Sequence, residues 1–412
     1  MGGKEPFERV LRLARRLASL LIIGLLLGSG TIVNAQDANT PPRVLSVTSL
    51  SEEINGDVSN PDALLSDPGA DGISLPEALT AVQADTGAHE TINFGPSLSG
   101  AVIRLSKTLP PIDRNGLTLD GDSDEDGLPD ITLDGGGIVS QALLIHASDV
   151  VIEGLHFRDF TWSGIEVNPS QQDARIIDNL SLRHNIFTNI GESAIVISQN
   201  QNHAVIRNIE ISDNTFQDYR FGIKLHAGFA PGANDNEISN VSILTNTLLA
   251  SGHSVGIFIS PTGLAGISRN TIKDIQIRGN TIDGHANSSV LIDAANQADC
   301  SDNLISNITI ADNQINGTPV TIELVSVGES GENAAGNRLT NVTITDNTLT
   351  GGGIQFGGAS GYNSHDNTIS QVVIDRNRVS SCAANGISFY AGTGGAHDNL
   401  LENVIVRNTL VD

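Results

Sequence analysis

The sequence predicts an all-β fold: a single-stranded, right-handed parallel β-helix of about ten coils, with a short capping helix near its N-terminus. Three observations predict it. A nine-residue phrase recurs at intervals of 29 to 34 residues, apolar and polar residues alternate within each copy, and the composition leaves the core to aliphatic side chains. The 412 residues include 43 Gly but only 11 Phe, 3 Tyr and 1 Trp, so the interior must come from Ile, Val, Leu and Ala. Hydrophobic residues at 39% exclude a disordered chain. A net charge of −25 argues against nucleic acid and anionic membranes as partners.

The first element reads as a targeting segment. Lys4, Arg9, Arg12, Arg15 and Arg16 precede the apolar run 17–27, and Val33-Asn34-Ala35 matches a small-residue cleavage site. Residues 1–35 are therefore expected to be a signal peptide cleaved after Ala35. The apolar run is too short to span a bilayer comfortably, and no second span follows. The mature chain is expected outside the cell or at its surface. Only Cys300 and Cys382 are present. They fall on different corners of the repeat and are expected to be free thiols.

A capping region is expected over residues 36–100. Ser74 and Glu77 have capping-box spacing and Pro76 suits a first helical turn, so a helix of about ten residues should start at 74. Three strand-like runs follow at 91–94, 101–105 and 117–121. This order, with Ser74, Leu75, Glu77 and Ala78, resembles the CSLREA domain of secreted bacterial β-helix proteins over residues 45–137. Ile73 and Pro76 stand where that motif has Cys and Arg. The resemblance implies a helix closing the end of a β-helix in an exported bacterial protein, and it implies no catalytic residues.

An acidic loop comes next. Asp120, Asp122, Asp124, Asp126 and Asp130 lie within eleven residues, with Gly127 among them. Counted from Asp122, alternate carboxylates, a glycine at the sixth position and an acid at the ninth match the start of a Ca²⁺ loop. Leu133 stands at the twelfth position in place of Glu, so the EF-hand pattern is incomplete. The loop also resembles the calcium repeats of thrombospondin type 3. Structural Ca²⁺ is the expected cofactor, since hard carboxylate oxygens select it over softer metals.

The solenoid is expected over residues 101–412. The recurring phrase is clearest at Asn208–Phe216, Asn240–Leu248, Asn307–Ile315 and Asn341–Leu349, and weaker copies end at Asn185, Asn280, Asn377 and Asn408. Each copy carries one short strand before the phrase and another after it, often opened by Gly. Three strands and three corners make one coil, and stacking buries what a lone coil cannot. Asn suits the corners because it tolerates left-handed backbone and bonds nearby amides.

Aligning the strands that follow the phrase gives an outward file: Asn168, Ser198, His226, Ser260, Asp293, Glu323, Gly357 and Tyr390. Ile223, Leu225, Ile257, Ile259, Ile292, Val320, Ile322, Ile354 and Phe356 should point inward. Asp293 and Glu323 then face each other across one rung, a separation that suits a retaining glycosidase. His226 and Lys224 share a strand two rungs below, and Tyr390 offers a sugar-contacting ring two rungs above. Trp162 is expected to pack at a coil edge. Against catalysis, the polygalacturonase motifs and a basic lining for uronates are missing. Three functions remain in view. The first is a secreted or cell-surface β-helix that binds or scaffolds extracellular polysaccharide. The second is a polysaccharide hydrolase or lyase using Asp293 and Glu323. The third is a flat face that binds ice or a crystal surface, built on Thr215, Thr247, Thr281 and Thr348 and interrupted by Gln314 and Arg378.

Overall fold

The computed structural model describes residues 43–412, apart from 86–88, 170–175, 253, 286, 318–319, 329, 360, 384, 391 and 393–394. The expected signal segment and its cleavage site lie outside the described residues. The described chain is an all-β, right-handed parallel solenoid of about nine turns. A twelve-stranded parallel sheet runs its length, from Arg43–Val47 to Leu400–Arg407. Two further parallel ladders complete each coil. The second passes through Leu155–Phe160 and Thr281–His285, and the third through Ser163–Val167 and Val320–Val325. Strands Ile186–Ser198 and Thr215–His226 belong to both.

The expected division of the coil is corrected in one respect. The short strand before the phrase and the phrase itself form one continuous strand, as in Arg338–Thr345. It bends midway at a left-handed Asn: Asn208, Asn240, Asn307 and Asn341 have φ between 53° and 59°. The end of the phrase begins the next strand, Thr348–Thr350 in the same coil. Asn and Asp reach the left-handed region at little cost because their short polar side chains bond locally.

Inward residues stack in register. Ile206, Ile238, Ile272, Ile305 and Leu339 pair in sequence and are fully buried. On the second ladder, Phe157, Phe187 and Phe216 form a nearly parallel pile with centroids 4.9 and 5.0 Å apart. Burying such rings contributes about 1.5–3 kcal/mol each, which drives the coils together.

Two asparagine ladders hold the corners. One runs Asn185, Asn214, Asn246, Asn280, Asn313, Asn347 and Asn377, each backbone N–H donating to the amide oxygen one coil further on at 2.9 to 3.0 Å. The last rung is Thr409, whose hydroxyl accepts from Asn377 N–H at 3.4 Å. The phrase therefore ends there at Thr409, one residue past the expected Asn408, which instead takes the left-handed corner at φ 50°. A second ladder links Asn236, Asn270, Asn303, Asn337, Asn367 and Asn399 at the preceding corner.

The capping helix spans Leu75–Gln83 behind Ser74, with both arms of the capping box formed. A shorter helix, Pro61–Ser66, is capped by Asn60. The buried Glu77 carboxylate accepts from Asn55 and Gly56 N–H through one oxygen, and from Ser74 N–H and hydroxyl through the other. It pins the 53–56 segment to the helix start. Cys300 is a buried free thiol and Cys382 a half-buried one.

Candidate functional site

On the third ladder, alternation sends one set of side chains into the core and the other outward. Ile223, Leu225, Ile257, Ile259, Ile292, Ile322, Ile354 and Phe356 are fully buried. Val320 is an exception, being only partly buried. A bulge between Val320 and Ile322 shifts the register there. On the preceding coil, Ile322 stacks on Val290, and Leu324 takes the inward place opposite Ile292.

This register corrects the outward file. Asp293 pairs with Val325, and Glu323 pairs with Leu291. The two carboxylates sit on adjacent coils but two residues apart along the strand. Glu323 likewise pairs with Gln355, and Val325 takes its expected place beside Gly357. His226 beside Ser198 and Ser260, and Tyr390 beside Gly357, stand as expected.

Corner loops fold over part of this face, which strand alternation alone does not reveal. Asp293 is 2% exposed. Its Oδ1 accepts from Ala295 N–H at 3.0 Å, and Oδ2 lies against Gly328, where a Cβ would come within 2.3 Å of it. Burial pushes the Asp293 carboxyl up to about 7, with the Glu323 charge adding to the rise and amide donors opposing it. Glu323 is half-buried. It accepts from the Ser288 hydroxyl and from Gln355 Nε2 at 3.3 Å, and that same amide donates to Tyr390 Oη at 3.4 Å.

His226 is also 2% exposed, held edge-on between Phe229 and Phe258, and neither ring nitrogen has a hydrogen-bond partner. Burial, reinforced by Lys224, drives its pKa well below the usual imidazole value. It is a neutral packed ring, with no route to a substrate proton.

Lys224 anchors a group that the sequence did not single out. Its ammonium sits 4.5 Å from the Phe221 ring centre and 5.5 Å from that of Phe229, and 3.1 Å from Glu192. Arg220 reaches the other Glu192 oxygen at 2.8 Å. Trp162 lies across from Phe229, centroids 6.5 Å apart. Burial lowers the Lys224 pKa, and Glu192 opposes that fall. Trp162, Phe221, Phe229 and Glu192 are all only partly buried, so part of each ring meets solvent beside the exposed Arg220 guanidinium. Phe221 and Phe229 were legible only as one aromatic before a Gly-Ile strand and one in the loop after it. Their convergence needs the coil to close.

In the acidic loop, Asp122, Asp124 and Asp130 bring one carboxylate oxygen each within 4.8 Å of one another. Asp120 and Asp126 do not join them. Asp120 ends its strand in register with Glu153 and accepts from Asp122 N–H, while Asp126 turns back to accept from Leu128 N–H. Burial raises Asp120 to about 6, and Glu153 adds to the rise. Burial also favours the neutral form of Asp130, but Ser123 and Ser99 hydroxyls donate to it and leave its pKa below the ordinary value.

The Thr215, Thr247 and Thr281 file is in register on the second ladder, continuing through Gln314, Thr348 and Arg378. Among the described residues no helix is long and apolar enough to cross a membrane.

No family model matches the chain, the CSLREA module at residues 45–137 included, and no curated protein matches it. Several solved structures are similar in fold. An endo-xylogalacturonan hydrolase from Aspergillus tubingensis has 12% identity and a TM-score of 0.45, covering 89% of this chain and 95% of its own. The A-module of the Azotobacter vinelandii mannuronan C-5 epimerase AlgE4 has 10% identity and a TM-score of 0.33, covering 79% and 89%. The capsular polysaccharide depolymerase tailspike gp49 of Acinetobacter baumannii bacteriophage Fri1 has 11% identity and a TM-score of 0.39, covering 77% and 54%. No residue role carries over at these identities.

Proposed function

We propose that the protein is an exported β-helix, free or held at the cell surface, that binds or scaffolds extracellular polysaccharide on the outer face of its third ladder, without chemistry. The observation that carries this reading is the cluster of Trp162, Phe221 and Phe229 around the Lys224–Glu192 ion pair. A sugar ring presents an apolar face and a rim of hydroxyls. Partly exposed aromatic planes match the first, and charged hydrogen-bonding tips match the second. The test is affinity electrophoresis of the full chain against a panel of neutral and anionic polysaccharides. Retardation by at least one glycan is expected, weakened about tenfold by Trp162→Ala. No retardation by any glycan, or an unchanged Trp162→Ala, overturns the reading.

Asp122, Asp124 and Asp130 fit a structural Ca²⁺ site by the chemistry of their donors: hard oxygens from one loop, already close together. In this proposal the ion ties the loop between strands Leu117–Asp120 and Ile131–Asp134 and takes no part in glycan binding.

A second reading, a polysaccharide hydrolase, is favoured by one feature only. The Asp293 carboxyl is pushed up to about 7, and Glu323 stands on the next coil, a raised carboxyl beside a second one as a general acid and its partner need. The cover of Gly328 over Asp293 weighs against it. Release of reducing ends from a bound glycan, abolished by Glu323→Gln, would establish hydrolysis.

A further inference from the structure

We propose that His365 and His397 together form a binding site for a single transition-metal ion of the Cu²⁺, Ni²⁺ or Zn²⁺ class, separate from the acidic loop and from the third-ladder face. Consecutive coils carry the same tripeptide at one corner, His365-Asp366-Asn367 and His397-Asp398-Asn399. The two histidines pair in a parallel bridge, and Asn367 N–H donates to Asn399 Oδ1 at 3.0 Å in the inner ladder. Asp366 and Asp398 both hold left-handed backbone, at φ 56° and 54°. The corner is thus built twice in the same shape, one rung apart. Its two imidazoles lie 5.3 Å apart at 9° to each other.

Each ring is oriented by its own carboxylate. His365 Nδ1 lies 2.8 Å from Asp366, and His397 Nδ1 lies 3.0 Å from Asp398. An ionised carboxylate there assigns the proton to Nδ1 and leaves the Nε2 lone pair outward. That is the tautomer a metal requires, with the second carboxylate–histidine contact that usually supports it. Because both rings are tied through Nδ1 to the equivalent neighbour, their Nε2 atoms face the same way. Metal–nitrogen bonds of about 2.0–2.1 Å allow two donors up to about 4.2 Å apart. Both rings must therefore turn until their Nε2 lone pairs converge, closing the gap by at least about one ångström, and with side chains 38% and 53% exposed they are not locked by packing.

Imidazole pairs select borderline and softer divalent ions, whereas the carboxylates of the acidic loop suit hard ones. The earlier coils carry Ala335 and Ser301 at this corner, so the pair is not extended along the ladder and water must complete the coordination.

The test uses the full chain titrated with Cu²⁺ in a weakly competing amino-acid buffer, followed by calorimetry and electron paramagnetic resonance. One ion per chain is expected, with two nitrogen ligands in the spectrum. His365→Ala and His397→Ala should each weaken binding at least about tenfold, and Asp398→Asn by a similar factor. His203→Ala, at the same corner five coils earlier, serves as the control and should change nothing. Binding unchanged in either pair variant, or a spectrum with one imidazole nitrogen, overturns the proposal. Melting curves matching the parent's establish that the variants are folded, and Asp398→Asn reads the same site without removing a ring.

Discussion

Asn246 Oδ1 accepts two bonds from Asn214, one from its backbone N–H and one from its side-chain amide, both at 3.0 Å. The amide of Asn246 in turn donates to Ile211 carbonyl at 2.8 Å and to Asn280 at 3.1 Å. Every buried polar atom of that rung is satisfied by the coils on either side. The ladder therefore couples neighbouring coils as well as filling a corner. Asn246→Ala leaves the two Asn214 donors without their acceptor in a dry interior. It should lower stability by about 1–3 kcal/mol in denaturant unfolding. A change no larger than that of an exposed substitution would mean that water replaces the amide.

Glu77 gives a prediction with a defined pH sense. Burial alone would raise its pKa, but the donors from Ser74, Gly56 and Asn55 outweigh burial, and the net value lies below the ordinary 4.5. A lowered carboxylate adds stability that is present above the unfolded value and lost as pH falls through the folded one. Glu77→Gln should therefore melt lower than the parent at pH 7, and the gap should narrow as pH drops below about 4.5. Parallel melting curves from pH 7 to pH 3 would contradict the assignment.

The acidic loop is tested by adding and removing metal. If Asp122, Asp124 and Asp130 hold Ca²⁺ in the folded state alone, millimolar Ca²⁺ should raise the melting temperature and EDTA should reverse it. Asp124→Asn should abolish the response. An unchanged melting curve at near-physiological ionic strength would sink the idea.

These residues also show where sequence reading succeeds and stops. Repeat spacing and alternation place Ile223, Ile257, Ile292 and Ile354 in the core, because the parity of a strand is written in its pattern. A two-residue slip preserves that parity. The register of Val320–Val325 on the preceding coil sets Glu323 against Leu291 instead of Asp293 while every inward position stays apolar, so only backbone pairing reveals it. The shift from Asn408 to Thr409 is of another kind, since a hydroxyl can replace the last amide of a ladder. Alternation also says which way a side chain leaves the sheet, but not whether a loop then covers it. Lys224, His226 and Asp293 are outward yet buried for that reason. The capping helix was legible because Ser74, Pro76 and Glu77 act within one turn, whereas the Trp162–Phe229 contact joins residues two coils apart.

Asp293 separates a structural carboxyl from a catalytic one. Burial holds its folded pKa at about 7, far above the ordinary 3.8. The folded state thus keeps a proton that the unfolded chain releases, and stability must fall as pH rises between those values and level off above about 7. Asp293→Asn does not titrate, so its stability relative to the parent should climb from pH 4.5 to pH 7 and then stay constant. Urea unfolding at four pH values spanning that window measures it, and a pH-independent difference would show that Asp293 ionises normally. The same variant bears on catalysis. If Asp293 is only a covered corner residue, Asp293→Asn should leave glycan retardation unchanged. If it is a general acid, reducing-end release by the parent should disappear in both Asp293→Asn and Glu323→Gln, with glycan binding retained.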